Sequence, residues 1–249
     1  MKANGGGALD RGRVDVVLFD YGNTLIEFTR PQIDRTDAGL AAELRRLFGP
    51  FDEAAFRRHR DHDRRAPYSA GYRERPIERI TAELVRALFD VEPTEAEVAV
   101  LVECRRRHFV ESIEAPAGAG RFLGALGERY RLGVISNYPC GRSVRDSLSR
   151  VGLGGYFETV VVSADVGYVK PHPGPFEAAL GPLGVEPGRA VYVGDNWLGD
   201  VQGAKRLGMQ AVHTVEYETS EHFEPAPGDH EPDLVIERLE ELEAYLLGD

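Results

Sequence analysis

The chain has 249 residues, 42% hydrophobic and 29% charged, with a net charge of −11 at pH 7. That balance fits a soluble folded protein and excludes a disordered one. A nucleic-acid binder usually needs a basic face, so the acidic excess argues against nucleic acid as the main partner. Two cysteines, Cys104 and Cys140, are too few for a disulfide framework. No apolar run approaches a membrane span, and the Gly-rich opening lacks the apolar stretch of a signal peptide. The expectation is a cytoplasmic protein, monomeric or homodimeric, with no membrane or nucleic-acid partner. Lysine occurs only at Lys2, Lys170 and Lys205. The remaining basic residues are arginine, the better fork for anions and the poorer proton carrier.

Residues 1–13 are Gly-rich and polar and read as a disordered tail. Val14 to Phe19 is a short β-branched run, a buried strand that ends at the turn-rich Asp20-Tyr21-Gly22-Asn23-Thr24. Residues 27–115 then turn helical. Leu40, Leu44, Leu47 and Phe48 form one stripe that stops at Gly49-Pro50, and Ile80, Leu84 and Leu88 form another. Thr94 to Glu97 has the spacing of a capping box that opens a helix through His108.

Beyond residue 116 strand-like runs alternate with helical stretches. The strands are Leu132–Ile135, Val160–Val162, Ala190–Val193, Ala211–Val215 and Leu234–Ile236. The helices are Arg121–Arg129, Ser143–Val151, Pro175–Leu183 and Asp200–Leu207. That alternation predicts a parallel sheet with helices on both faces. The fold class is α/β: a three-layer, Rossmann-like core from 14–26 and 116–249, with an all-helical insertion at 27–115.

Open parallel sheets bind ligands at the carboxyl ends of their strands. Asp20, Ser136 and Asp195 each follow such a run, and Lys170 follows Val160–Val162 after a short loop. One polar residue ending a strand is often only a helix cap. Four of them, including one of three lysines, point to a site.

Asp20-Tyr21-Gly22-Asn23-Thr24-Leu25, Ser136-Asn137, Lys170-Pro171-His172-Pro173 and Gly194-Asp195-Asn196-Trp197-Leu198-Gly199-Asp200 together resemble the four motifs of the haloacid dehalogenase superfamily of hydrolases. The helical insertion resembles the cap domain of one large subgroup. The resemblance implies a phosphatase that works through an aspartyl-phosphate. Asp20 is then the nucleophile, since a carboxylate attack on phosphorus splits one hard step into two. Asp20, Asp195 and the Gly22 carbonyl are the implied ligands of Mg²⁺, a hard ion that prefers oxygen, with Asp200 behind them. Ser136 and Lys170 would neutralise the transferring phosphoryl group, and Thr24 would hold the loop. Asn23 and Asn137 join Ser136 and Lys170 as substrate contacts. The implied partner is a small phosphorylated metabolite.

The sequence departs from the family at Gly22. Phosphatases of the family usually place there a second Asp, which protonates the leaving alcohol. Without it, three outcomes stay open: a preference for acyl or aryl phosphates, a substitute from the cap or Asn23, or a phosphate-binding protein with little turnover. Metal-free dehalogenases also lack that Asp, but their fourth motif lacks the metal-binding Asp that Asp195 supplies here. Phosphonate hydrolases need a cap lysine, and residues 27–115 contain none.

Four lesser features stay two-sided. Arg57 to Arg65 is either an anion contact or, as the interleaved acids favour, a solvated helix face. Cys140 is either near the site or a small packed hydrophobe. His172 is either a substrate contact or, preferably, a loop hydrogen-bonder. Trp197 either walls the pocket or packs on the sheet.

Overall fold

A computed structural model describes residues 9–217, 223 and 225–248. Six parallel strands form one sheet: β1 (Val16–Phe19), β2 (Arg131–Ser136), β3 (Thr159–Val162), β4 (Ala190–Gly194), β5 (Gln210–Thr214) and β6 (Leu234–Ile236). Their order is β3-β2-β1-β4-β5-β6. The chain runs outward from β1 through β2 to β3, then returns to the other side of β1. The order therefore reverses between β1 and β4, the place where such sheets open a crevice. Phe19 pairs with Val134 on one side and Val193 on the other, which aligns the ends of the three central strands.

The central strands are buried along their length, as helices on both faces require. Phe19, Val134 and Val193 face a core shared with α5 (Ala119–Gly127), α6 (Gly141–Arg150) and α10 (Leu242–Leu246). Leu18, Ile135 and Tyr192 face the other, filled by Phe176 and Leu180 of α8 (Pro173–Leu183). A short α7 (Ser163–Val166) separates β3 from α8.

Between β1 and β2 stand four helices: α1 (Arg30–Phe48), α2 (Glu53–Ser69), α3 (Ile77–Phe89) and α4 (Glu95–Ser112). Leu40, Leu44, Phe56, Leu84, Val85 and Leu101 give them a core of their own. α1 ends at Gly49, whose φ of 93° suits glycine. α4 opens on the Thr94–Glu97 capping box. The block is tied to the sheet at two places. Phe109, near the end of α4, enters the first sheet core. The loop after α2 lies along the loop before Lys170, with Val169 N donating to the Tyr72 carbonyl and Glu74 N to that of Gly167.

Two elements differ from expectation. Residues 1–8 of the expected tail lie outside the described residues. Asp10 to Arg13 are held, with Arg11–Arg13 in a 3₁₀ turn and Asp10 N donating to the Gln210 side chain. The helix expected from Asp200 is instead a π turn over Trp197–Gln202, followed by the short α9 (Gly203–Arg206). Asn196 caps that turn by accepting from Gly199 N, and Asp200 accepts from Asn196 N. These bonds hold the wider turn, a form that recurs at functional sites.

Candidate active site

A cavity of about 210 Å³ opens between the strand ends and the helical block. Asp20, Gly22, Asn23, Ser136, Asn137, Lys170, Asp195 and Asp200 all line it. Thr24 does not; it lines a second, smaller cavity, and its buried Oγ1 has no hydrogen-bond partner.

Strand ends form the floor. Asp20 leaves β1, and its backbone N–H donates to the Val193 carbonyl of β4. Lys170 is 2% exposed. Its Nζ donates to Asp20 Oδ1 at 2.6 Å, the Ile135 carbonyl at 3.0 Å and Tyr192 Oη at 2.6 Å. Those bonds use all three ammonium protons. Asp200 Oδ1 sits 2.7 Å from the same Nζ, a fourth oxygen crowded around three protons. Oxygens of Asp20, Asp195 and Asp200 lie within 4.8 Å of one another.

Three carboxylates thus surround one ammonium. Burial, with Asp200 close by, pushes Asp20 up to about 6 against the pull of Lys170. Burial, then Asp20 and Asp200, hold the Asp195 carboxyl well above the usual range. Burial alone would lower Lys170, but the carboxylates of Asp20 and Asp200 outweigh it and raise its pKa. The floor is short of positive charge. Three clustered carboxylates with a single ammonium among them fit a hard divalent cation.

Local chain geometry sets these side chains. Asn23 takes a left-handed φ of 58° and accepts from Phe28 N, which folds the loop after β1 back on itself. Gly194 leaves no room for a Cβ, which would fall 2.3 Å from Asp200 Oδ2. Asn137 brackets Lys170 by accepting from its N–H and donating to its carbonyl, and Asn137 Nδ2 also donates to Tyr68 Oη of α2.

The helical wall corrects one expectation. Arg60 of α2 is no part of a solvated face: it is 4% exposed and lines the cavity with Asp63 and Arg64. Arg60 Nε donates to Asp37 at 2.9 Å, and Arg64 lies 3.7 Å from the same carboxylate. Arg105 of α4 also lines the cavity and is 5% exposed. Neither Arg105 nor Tyr192 was singled out in the sequence. A signal existed for Arg105: it stands four residues after Leu101 and four before Phe109, both buried, so it falls on the inward stripe. Tyr192 looked like one more apolar strand residue.

The lesser features resolve simply. His172 caps α8, its Nδ1 accepting from Gly174 N, and stacks on Tyr168. Trp197 packs against His213 and donates to Asp229. Neither it nor Cys140 lines the cavity.

The sequence pattern of the haloacid dehalogenase-like hydrolases matches residues 41–214, more than half of the chain, and Asp20 lies before that span. A glyceraldehyde 3-phosphate phosphatase of Pyrococcus furiosus is 26% identical over 211 residues, covering 80% of each chain. One from Methanopyrus kandleri is 37% identical over 115 residues, 45% of this chain; the chain spans about half of that relative, 48% of its length. Among solved structures, a 2-haloacid dehalogenase from Pseudomonas syringae pv. Tomato DC3000 is 26% identical, with a TM-score of 0.72 over 94% of this chain and 98% of its own.

Proposed function

Because the chain belongs to the haloacid dehalogenase-like hydrolases, we propose that it is a Mg²⁺-dependent phosphatase of small cytoplasmic phosphate esters, with the helical block as its cap. The observation that carries this is the floor: three buried carboxylates within 4.8 Å around a single lysine. A halide-displacing site has no use for that excess of negative charge. A phosphatase does. Asp20, Asp195 and the Gly22 carbonyl would hold the metal, with Asp200 beside them, and the bound ion would neutralise phosphoryl charge.

Asp20 is the nucleophile in this reading. Its oxygen attacks phosphorus, the ester oxygen leaves with the bonding pair, and water then cleaves the aspartyl-phosphate to return the carboxylate and phosphate. Lys170 orients Asp20 and, by charge and hydrogen bond, works against the burial that favours its protonated form. The Ser136 hydroxyl, with Asn137 beside it, faces the transferring group from β2.

Gly22 offers no proton to the leaving oxygen. Asn23 does not replace it, because its Oδ1 is committed to Phe28 N and an amide is no acid. Aryl and acyl phosphates, whose leaving groups need no proton, are therefore the favoured substrates.

The test is phosphate release from p-nitrophenyl phosphate and an ester panel, with Mg²⁺ and in excess chelator. Release that needs Mg²⁺ is the expected result. Undiminished release in chelator would overturn the metal assignment. Halide release from 2-chloropropionate, with no ester cleaved, would make the protein a dehalogenase, the activity named for the Pseudomonas syringae neighbour.

A further inference from the structure

Arg105 is the odd cation of the cavity wall. Arg60, Arg64 and Arg75 each have a carboxylate: Asp37 for the first two, Asp63 and Glu83 for Arg75. Arg105 forms no ion pair among the described residues, and its buried Nε has no hydrogen-bond partner there; its guanidinium hydrogen-bonds the Tyr138 phenol and feels the carboxylates of Glu74, Asp37 and Asp63 only from a distance. Arg60 stands near enough to repel it; burial first, and Arg60 second, lower its hold on its proton. Tyr138 lies beside both guanidinia, and burial pushes its phenol up, so it stays neutral and balances no charge. Even so, a guanidinium stays charged at any working pH. Burying one without an anion costs several kcal/mol. A merely structural arginine at this place would have been paired like its three neighbours.

We propose that Arg105 binds a second anionic group on the organic part of the substrate, so that the preferred esters carry a carboxylate or a second phosphoryl group besides the one removed. This rests on the phosphatase reading above. The planar fork of guanidinium matches either anion through two parallel hydrogen bonds. Arg60 adds charge beside it, and its own buried Nη1 also has no hydrogen-bond partner. Phe109, one helical turn on from Arg105, lines the cavity next to it. The site then reads the substrate at both ends: the transferred phosphoryl group at the strand ends, the second anion at α4.

A matched pair of esters tests this. Phosphoglycolate and 2-hydroxyethyl phosphate share two carbons and differ in whether the far end is a carboxylate or an alcohol. The wild-type protein should prefer the acid in kcat/KM. Arg105→Gln should cut that preference by about tenfold or more, mainly through KM, the scale of one lost charged hydrogen-bonding pair. Arg105→Lys, which keeps the charge and loses the fork, should fall between, and it carries the test if Arg105→Gln does not fold. A preference that survives Arg105→Gln, or a wild-type preference for the alcohol, would overturn the proposal. A second measurement separates it from the phosphatase reading. Calorimetric titration of both esters into the non-turning-over Asp20→Asn protein, with and without Arg105→Gln, reads the anion site alone. A Kd for phosphoglycolate weakened about tenfold by loss of Arg105 upholds it. Equal Kd values sink it, even if p-nitrophenyl phosphate is hydrolysed.

Discussion

The cavity has two ends, and each holds a buried charge that lacks a close opposite: carboxylate at one, guanidinium at the other. At the strand ends three carboxylates face one ammonium. On the helical wall Arg60 and Arg64 pair with Asp37, Asp63 and Asp61, while Arg105 forms no ion pair among the described residues. Each such charge costs stability in the empty protein, because a buried charge without its opposite is poorly solvated. Each is relieved from outside, by a cation at one end and an anion at the other. Ordinary structural ion pairs do not look like this. Arg106 of α4 points the other way and meets both Glu103 and Asp146. One helix thus carries a satisfied arginine outward and an unsatisfied one inward, which separates holding the fold from waiting for a ligand.

The sharpest break of the floor is Asp20→Asn. It removes the attacking oxygen's charge and should lower kcat by at least about 10⁴-fold, as loss of a nucleophile does, in a steady-state phosphate-release assay. Residual turnover near wild type would mean that another group attacks. Next comes Lys170→Met. It strands three buried carboxylates and should cost about 3–5 kcal/mol in denaturant unfolding without metal. Because the stranded charge is what a divalent ion neutralises, Mg²⁺ should recover part of the loss. A variant as stable as wild type in chelator would show that the floor is not short of positive charge.

Metal binding itself is the third lever. At about one hundred times its Kd, Mg²⁺ should add about 2.7 kcal/mol to stability, and Asp195→Asn should abolish most of that gain. The pH dependence has a definite sign. Asp20 holds its proton to about pH 6 when folded, against 3.8 ordinarily. The folded state therefore binds more protons than the unfolded one between those values. The contribution of Asp20 to metal-free stability is fully present below about pH 4 and is lost as the pH rises to about 6, and Asp195 shifts in the same direction. Wild type should therefore lose stability relative to Asp20→Asn over that window in chelator; an unchanged difference would contradict the crowding of the carboxylates.

Gly22→Asp probes what the floor lacks. A Cβ there meets only Phe28 Cβ at 3.6 Å, and the backbone is not left-handed, so the substitution has room to start. Restoring an acid should raise kcat/KM for alkyl phosphates by about 10²-fold, with little change for aryl phosphates. Equal changes on both would show that proton donation does not limit the reaction.

The smallest contrast lies within the wall. Arg60→Gln strands Asp37, although Arg64 stays 3.7 Å away, and should destabilise the chain by about 1–3 kcal/mol. Arg105→Gln strands no carboxylate and should cost less in the same unfolding experiment. The reverse order would make Arg105 a structural residue.

Polar residues that end apolar runs were legible in the sequence, because a strand that stops at the edge of a parallel sheet must deliver its next side chain to one rim. Asp20, Ser136 and Asp195 stand out on that ground, and Lys170 by its rarity. The capping box at Thr94 and the stop at Gly49 were legible for a local reason too: neighbouring residues satisfy helix ends. What the linear chain could not decide was facing. Arg57 to Arg65 is equally charged on paper all round, and only packing on Asp37 turns Arg60 inward while Arg57, Arg58, Asp61 and His62 stay outside. Tyr192 is hidden in an apolar strand until Lys170 crosses above it and takes its hydroxyl as an acceptor. The π turn at Trp197–Gln202 depends on hydrogen bonds from Asn196 and Asp200 that compete with the α-helical pattern. Sequence determined which residues carry charge and where strands deliver them. Tertiary structure alone decided which charges are left without an opposite, because pairing depends on distances between α1, α2 and α4 that no local pattern records.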